Sequence, residues 1–186
     1  MIINILFRLL LTFNATSLLV IIFLVQKKYT VYYFLQGLSA ADWLKPFPPV
    51  LSYLLYLLIP IVLTWISLQL SSGLGKDEFK KGDVVSVEYA NNSFLPSYLG
   101  YFFVALSVNS WSTLFFVYSV LFVFTFLSQA LYFNPLFLVF RYEFYNVKNK
   151  SGASMFLISP HRYKTPSEVV VSEAFRINDY TFIERK

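Results

Sequence analysis

Three long stretches of the chain carry no charged side chain, and the segments between them alternate apolar with polar residues. The first stretch runs from Leu9 to Gln26 and is closed by Lys27 and Lys28. The second runs from Pro46 to Gly75, and the third from Tyr89 to Phe140. A membrane-spanning helix needs about 20 mostly apolar residues, because the hydrocarbon core is about 30 Å thick and a helix rises about 1.5 Å per residue. The first two stretches therefore predict one span each, at about residues 9–26 and 51–70. A poor cleavage site and the lysine pair directly after the first stretch favour an uncleaved span over a signal peptide. Pro60, midway along the second, removes a backbone hydrogen bond and predicts a kink.

The third stretch is 52 residues long. As one helix it would reach about 78 Å, so it must fold back. Asn109-Ser110 is the polar break, and Ser110 or Ser112 suits a helix N-cap. The pattern predicts helices at about residues 94–108 and 112–133, the latter stopped by Asn134-Pro135. The shorter of the two is compatible with a re-entrant path as well as a full crossing.

Strand periodicity appears on either side of this run. Val85, Val87 and Tyr89 alternate with Ser86 and Glu88, and Phe140, Tyr142 and Phe144 alternate with Arg141 and Glu143. Asn149-Lys150-Ser151-Gly152 reads as a turn before Met155 to Ser159, and Asn178-Asp179 as a hairpin turn beside Val169 to Val171 and Phe175 to Ile183. Two strands alone are marginal in water, so the 75–92 loop and the tail are expected to share one small sheet. The fold class this predicts is membrane α-helical. A four-helix transmembrane bundle over residues 1–140 carries a small cytosolic β-rich subdomain, built from the 75–92 loop and the 141–186 tail.

The 27–50 loop holds Tyr29, Tyr32, Tyr33, Phe34, Trp43 and Phe47. Ser39-Ala40-Ala41-Asp42 has the spacing of a cap, which predicts a short interfacial helix ended by Pro46, Pro48 and Pro49. Such rings favour the headgroup layer. They read either as a belt that sets depth or as an outer face that responds to the membrane. Tyr32, Tyr33, Trp43 and Phe47 are the candidates for the second role.

Composition agrees with the membrane reading: 57% of residues are hydrophobic, 20% aromatic and only 13% charged. A soluble domain carries roughly 25% charged residues, so a water-facing sphere of this size would lack polar surface. Lys and Arg set the orientation. With four spans and both ends inside, twelve lie inside and three, Lys27, Lys28 and Lys45, outside. With three spans the split is eleven to four. Either way the tail is inside.

Little in the chain points to catalysis. There is no Cys and one His, and no phosphate loop, nucleophile elbow or zinc motif. No catalytic, cofactor or metal-binding residue is expected, and the chain reads as a non-enzyme. His161 reads as a surface turn residue with no adjacent carboxylate. Within the expected spans, Asn14 with Ser17 and Thr125 with Gln129 share helix faces and mark packing or oligomer contacts. A pore lining is the other reading, weakly selective without a charged ring. In the tail, Lys148, Lys150, His161, Arg162, Lys164 and Arg176 form a candidate cytosolic partner face, although retention of positive charge inside accounts for them too.

The 186-residue length, the uncleaved first span, the fold-back pair between Phe94 and Phe133, and the tail segment Ser151-Gly152-Ala153-Ser154-Met155-Phe156-Leu157-Ile158-Ser159-Pro160-His161-Arg162 together resemble the KwaA family. These are the membrane subunits of the Kiwa anti-phage defence system of bacteria. The resemblance implies a four-helix inner-membrane protein that assembles as a homo-oligomer, a tetramer. It implies that the assembly detects phage at the envelope and recruits KwaB, a cytosolic DNA-binding effector, without itself binding nucleic acid. The twelve-to-three distribution with four spans puts both termini in the cytoplasm and the multi-pass helices in contact with membrane lipid. A small channel or transporter subunit and a passive anchor for a cytosolic enzyme are the competing classes.

Overall fold

The computed structural model of the protein describes residues 2–127 and 134–185. Helix α1 (Ile2–Gln26) is the axis of the helical half. Helices α3 (Pro49–Leu70), α4 (Leu95–Ser107) and α5 (Trp111–Leu127) all pack against it. The contact is made by Leu19, Phe23, Tyr56, Ala105, Val108 and Leu114, which are buried together. Between α1 and α3 the chain forms the short α2 (Val31–Leu35), capped by Thr30, and a 3₁₀ turn over Ser39–Leu44. The N-cap position of that turn is Leu38, which makes no side-chain cap bond.

Two helical stretches among the described residues, Asn4–Gln26 and Pro49–Gly73, are long and apolar enough to cross a membrane. Pro48 and Pro49 start α3, where a missing N–H costs nothing. The helix runs on through Pro60. Its outer side exposes Leu51, Leu54, Leu58, Ile59, Val62 and Trp65. A continuous apolar face of that kind marks a surface that leaves water, and with two helices of spanning length it points to association with a membrane.

The expected four-helix transmembrane bundle is not what the chain forms. Helix α4 has 13 residues, about 20 Å, and α5 has 17, about 26 Å. The 3₁₀ turn Asn91–Phe94 delays α4, and Ser110 caps α5 by accepting from the Thr113 amide at 3.1 Å. The pair lies along α1 as a hairpin, held by Gln26 Nε2 donating to the Leu106 carbonyl (2.8 Å) and by Thr16 Oγ1 donating to Tyr118 (3.2 Å). The rest of the expected 112–133 helix lies outside the described residues.

The second half of the fold is a six-stranded sheet, far more than a small appendage. Its strands are β1 (Gly75–Phe79), β2 (Val84–Tyr89), β3 (Glu143–Asn149), β4 (Ser154–Ser159), β5 (Val171–Asn178) and β6 (Thr181–Glu184). Their spatial order is β1-β5-β6-β4-β3-β2, with β4 and β6 parallel and the other pairs antiparallel. The segment between α3 and α4 thus supplies both edges. Only Lys80 to Asp83 separate its two strands. That step reaches at most about 18 Å, whereas the edges of a flat six-stranded sheet would stand about 24 Å apart. The sheet therefore curls.

Both faces of the sheet are buried. Phe144, Phe156, Ile158, Phe175, Ile177 and Ile183 pack onto Phe7, Leu11, Leu68, Leu74 and Phe137 at the helix ends. The other face gathers Phe79, Val84, Tyr145, Val147, Leu157, Val169 and Phe182 under Tyr163. The 3₁₀ turn Pro166–Glu168 closes that side against β2, held by a reciprocal cap between Thr165 and Glu168.

Residues 140–142 are not the start of a strand. A single helical turn, α6 (Leu136–Val139), ends there in a Schellman turn. Tyr142 N donates to the Phe137 carbonyl (3.1 Å) and Arg141 N to that of Leu138 (2.9 Å). Arg141 takes the left-handed position at φ +63°. An L residue there costs roughly 1 kcal/mol more than glycine.

Candidate functional site

The turn after β4 reads Ser159-Pro160-His161-Arg162. Parallel pairing of β4 with β6 sets Ile158 against Ile183, which brings Ser159 beside Glu184. Glu184 is buried, at 7% exposure. A buried carboxylate must be paired or hydrogen-bonded. Here it accepts from the Ser159 hydroxyl and from Tyr163 OH (2.8 Å), and His161 Nδ1 lies 3.0 Å away. Ser159 Oγ also accepts from the His161 amide (2.9 Å). His161 sits in an exposed turn with no acid beside it in the sequence; its carboxylate comes from 23 residues later in the chain, brought in by strand pairing. Ser, His and Glu are the residue types of a hydrolytic triad. The serine hydroxyl bonds to the carboxylate, however, and the imidazole does not activate it.

Next to this knot, Glu143 opens β3. Its two oxygens accept from Arg162 Nε (2.8 Å) and Tyr145 OH (2.8 Å). Tyr145 OH in turn accepts from the Tyr163 amide (3.1 Å). Burial, with the nearby Glu143 carboxylate, pushes the Tyr145 phenol up to about 12. Burial and Glu184 raise that of Tyr163 further. Both rings stay neutral at physiological pH. Tyr89, Tyr145 and Tyr163 meet edge to face at 5.9 and 5.5 Å. With Val87, Arg162 and Lys164 they line an open cleft of about 500 Å³. Tyr89 is 60% exposed and the Arg162 side chain 82%. The cleft thus presents an exposed ring at the end of β2 and an exposed cation in the turn after β4.

The six expected tail cations do not form one face. His161, Arg162 and Lys164 meet at this site. Arg176 bridges to Asp77 across the β1–β5 pair, and that guanidinium holds the Asp77 carboxyl below the usual carboxylate range. Lys148 sits in mid-strand opposite Ser86 and Ser154, and Lys150 in the turn beyond β3 near Gly82.

Among the helices, Asn14 is fully buried. Its Nδ2 donates to the Pro60 carbonyl (3.0 Å), and its Oδ1 accepts from Thr64 Oγ1 (2.6 Å) and Asn134 Nδ2 (3.1 Å). Ser17 donates to the Asn14 carbonyl (2.8 Å). This pair thus serves packing within the chain. Thr125 is half-buried on α5, and Gln129 lies outside the described residues. Of the outer aromatic set, Tyr32, Trp43 and Phe47 line one pocket of about 420 Å³ with Lys45, whose ammonium sits 5.9 Å from the Tyr32 ring. Tyr33 belongs elsewhere, stacked on Tyr29 at 4.4 Å, with Tyr29 stacked on Trp111 at 5.3 Å.

A family model described as anti-phage protein KwaA matches residues 7–183. The chain belongs to the KwaA family. The match begins within α1 and ends in β6, so helices and sheet are covered together. KwaA membership gives the chain a role in anti-phage defence. No curated protein and no solved structure matches it. The KwaA resemblance in the sequence rests partly on residues 151–162, which form β4 and the turn that builds the Glu184 knot. Sequence reasoning missed Glu143, Glu184, Tyr145 and Tyr163 as parts of this site. The alternation around β3 places Glu143 and Tyr145, but only the β4–β6 pairing shows that Glu184 joins them.

Proposed function

We propose that this KwaA-family chain is a multi-pass inner-membrane subunit that assembles with copies of itself and docks a cytosolic DNA-binding effector on its sheet. It works by binding, without catalysis and without touching nucleic acid itself. The charge distribution supports a cytoplasmic sheet. With α1 and α3 as the crossings, three Lys and Arg lie at the α2 end and the eleven others among the described residues on the sheet side. Both termini then face the cytoplasm. The exposed side of α3 is the surface available to lipid and to neighbouring copies. At the outer end, the pocket of Tyr32, Trp43 and Phe47 faces the headgroup layer, where a disturbance of the envelope would be felt.

The observation that carries the docking role is the Tyr89–Arg162–Lys164 cleft, built on strands locked by the two carboxylate knots. The test is copurification of the effector from native membranes. Tyr89→Ala combined with Lys164→Glu should release it while membrane insertion and oligomer size stay unchanged. Retention of the effector by this variant at moderate salt would move the docking surface elsewhere, with Lys76 to Lys81 next in line.

A further inference from the structure

A separate cleft of about 450 Å³ lies between the end of α6 and the turn after β4. Its walls include Asn91, Leu138, Arg141, Glu143, Pro160 and Arg162. Arg141 occupies the Schellman position where glycine is the ordinary residue. A cation there is often explained by the helix dipole, but α6 is four residues long and has little dipole to offset. Among the described residues the Arg141 guanidinium has no acidic partner. An arginine kept in a strained backbone position, with no local bond, points to a use for its side chain.

The charges in the cleft sum to one positive. Each Glu143 oxygen already accepts one bond, from Arg162 Nε and from Tyr145 OH, and no bond to an acid occupies the Arg162 Nη groups or the Arg141 fork among the described residues; both arginines line the cleft. Asn91 is satisfied too: its Oδ1 accepts from the Phe144 amide at 2.7 Å and its Nδ2 donates to Tyr89 OH. Arginine forks match phosphate geometry, and a phosphodiester carries the complementary single negative charge. The position is also telling. The charge-free run ends at Phe140, one residue before Arg141, and Val139 beside the cleft is 61% exposed. Leu138 and Pro160 give the opening an apolar margin.

We propose that this cleft binds the phosphodiester headgroup of an anionic phospholipid in the leaflet on the sheet side, held by Arg141 and Arg162. The proposal rests on the membrane reading above. It adds a physical link to the docking site, because Arg162 and Glu143 wall both clefts. A bound headgroup would hold the docking arginine in place.

The test uses the full chain in phosphatidylcholine vesicles, with or without phosphatidylglycerol, and reads the thermal unfolding midpoint. Wild-type protein should float with both vesicle types and unfold at a higher temperature when phosphatidylglycerol is present. In phosphatidylcholine alone, Arg141→Gly should unfold at a higher temperature than wild type, because the left-handed strain is gone. It should lose most of the phosphatidylglycerol-dependent rise. Arg141→Lys, which keeps the charge and loses the fork, should retain part of that rise. An undiminished rise in Arg141→Gly would overturn the proposal. So would an equal rise of the wild type with inorganic phosphate in phosphatidylcholine vesicles, which would make the cleft a soluble-anion site. Failure of the wild type to float would overturn the membrane reading and the proposal with it.

Discussion

At the scale of single residues, Glu184 has the most to lose. Its carboxylate is the common acceptor for Ser159 and Tyr163 and the partner of His161. Glu184→Ala removes the acceptor of the fully buried Ser159 hydroxyl and of the half-buried Tyr163, and a buried polar group left unpaired costs about 1–3 kcal/mol. We expect a loss of that order in chemical unfolding, and a much smaller one for His161→Ala, because 61% of the imidazole side chain is already exposed. Equal losses for the two variants would mean that the knot is organised around the histidine instead. Residues of this kind were only half legible in the chain. His161 is where a Ser-Pro turn places it, yet its partner comes from a strand that local pattern cannot assign to its neighbour. Asn14 shows the opposite case. A buried asparagine on an apolar helix announces that it needs a partner, and Thr64 and Asn134 provide it.

Among the elements, β1 is the most exposed to conditions. It is an edge strand that buries only Phe79, and its register to β5 shifts between Asp77 and Phe79. Two surface pairs, Lys76–Glu173 and Arg176–Asp77, fasten it. Arg176 lowers the Asp77 pKa, so the folded state binds the proton less well than the unfolded chain. The stabilisation is therefore complete above the ordinary carboxylate value of about 4 and is lost as pH falls through the lower folded value. Amide exchange in β1 should be flat from neutral pH down to about pH 4, once intrinsic rates are allowed for, and should accelerate below it. Asp77→Asn should show faster exchange above about pH 4, meet the wild-type rate in acid, and show no acid step. An acid step of full size in Asp77→Asn would assign it to another group. The same strand shows why periodicity reads some elements and not others. Val85, Val87 and Tyr89 spell out β2, whereas Gly75-Lys76-Asp77-Glu78-Phe79 has one apolar residue to show. The charge-free run from Tyr89 to Phe140 reveals the fold-back and the extent of α4, expected at about residues 94–108 and found at Leu95–Ser107, but charge alone does not show that 13 residues are too few for a full crossing.

Over the whole molecule, the helices and the sheet are one packing unit. The helix-facing side of the sheet is covered by Phe7, Leu11, Leu68, Leu74 and Phe137, and its two edges come from between α3 and α4. A soluble fragment of residues 141–186 keeps four strands and loses both edges and that cover. It should give poorly dispersed amide spectra and no cooperative melt, and a well-dispersed fragment would show that the four inner strands suffice. Sharing of a sheet between loop and tail was legible because a lone strand has nowhere to go. The extent of the sheet was not, because its size depends on which distant strands meet. The strand order also has a consequence for how the protein is made. On one side of β6 lie β5 and β1, and on the other β4, β3 and β2. The strand that joins them is the last of the six to leave the ribosome. A nascent chain that has already threaded its apolar helices still holds two unconnected ladders until Thr181 to Glu184 arrive. The sheet then closes in one step, so only a chain translated through that strand presents a finished surface to a partner.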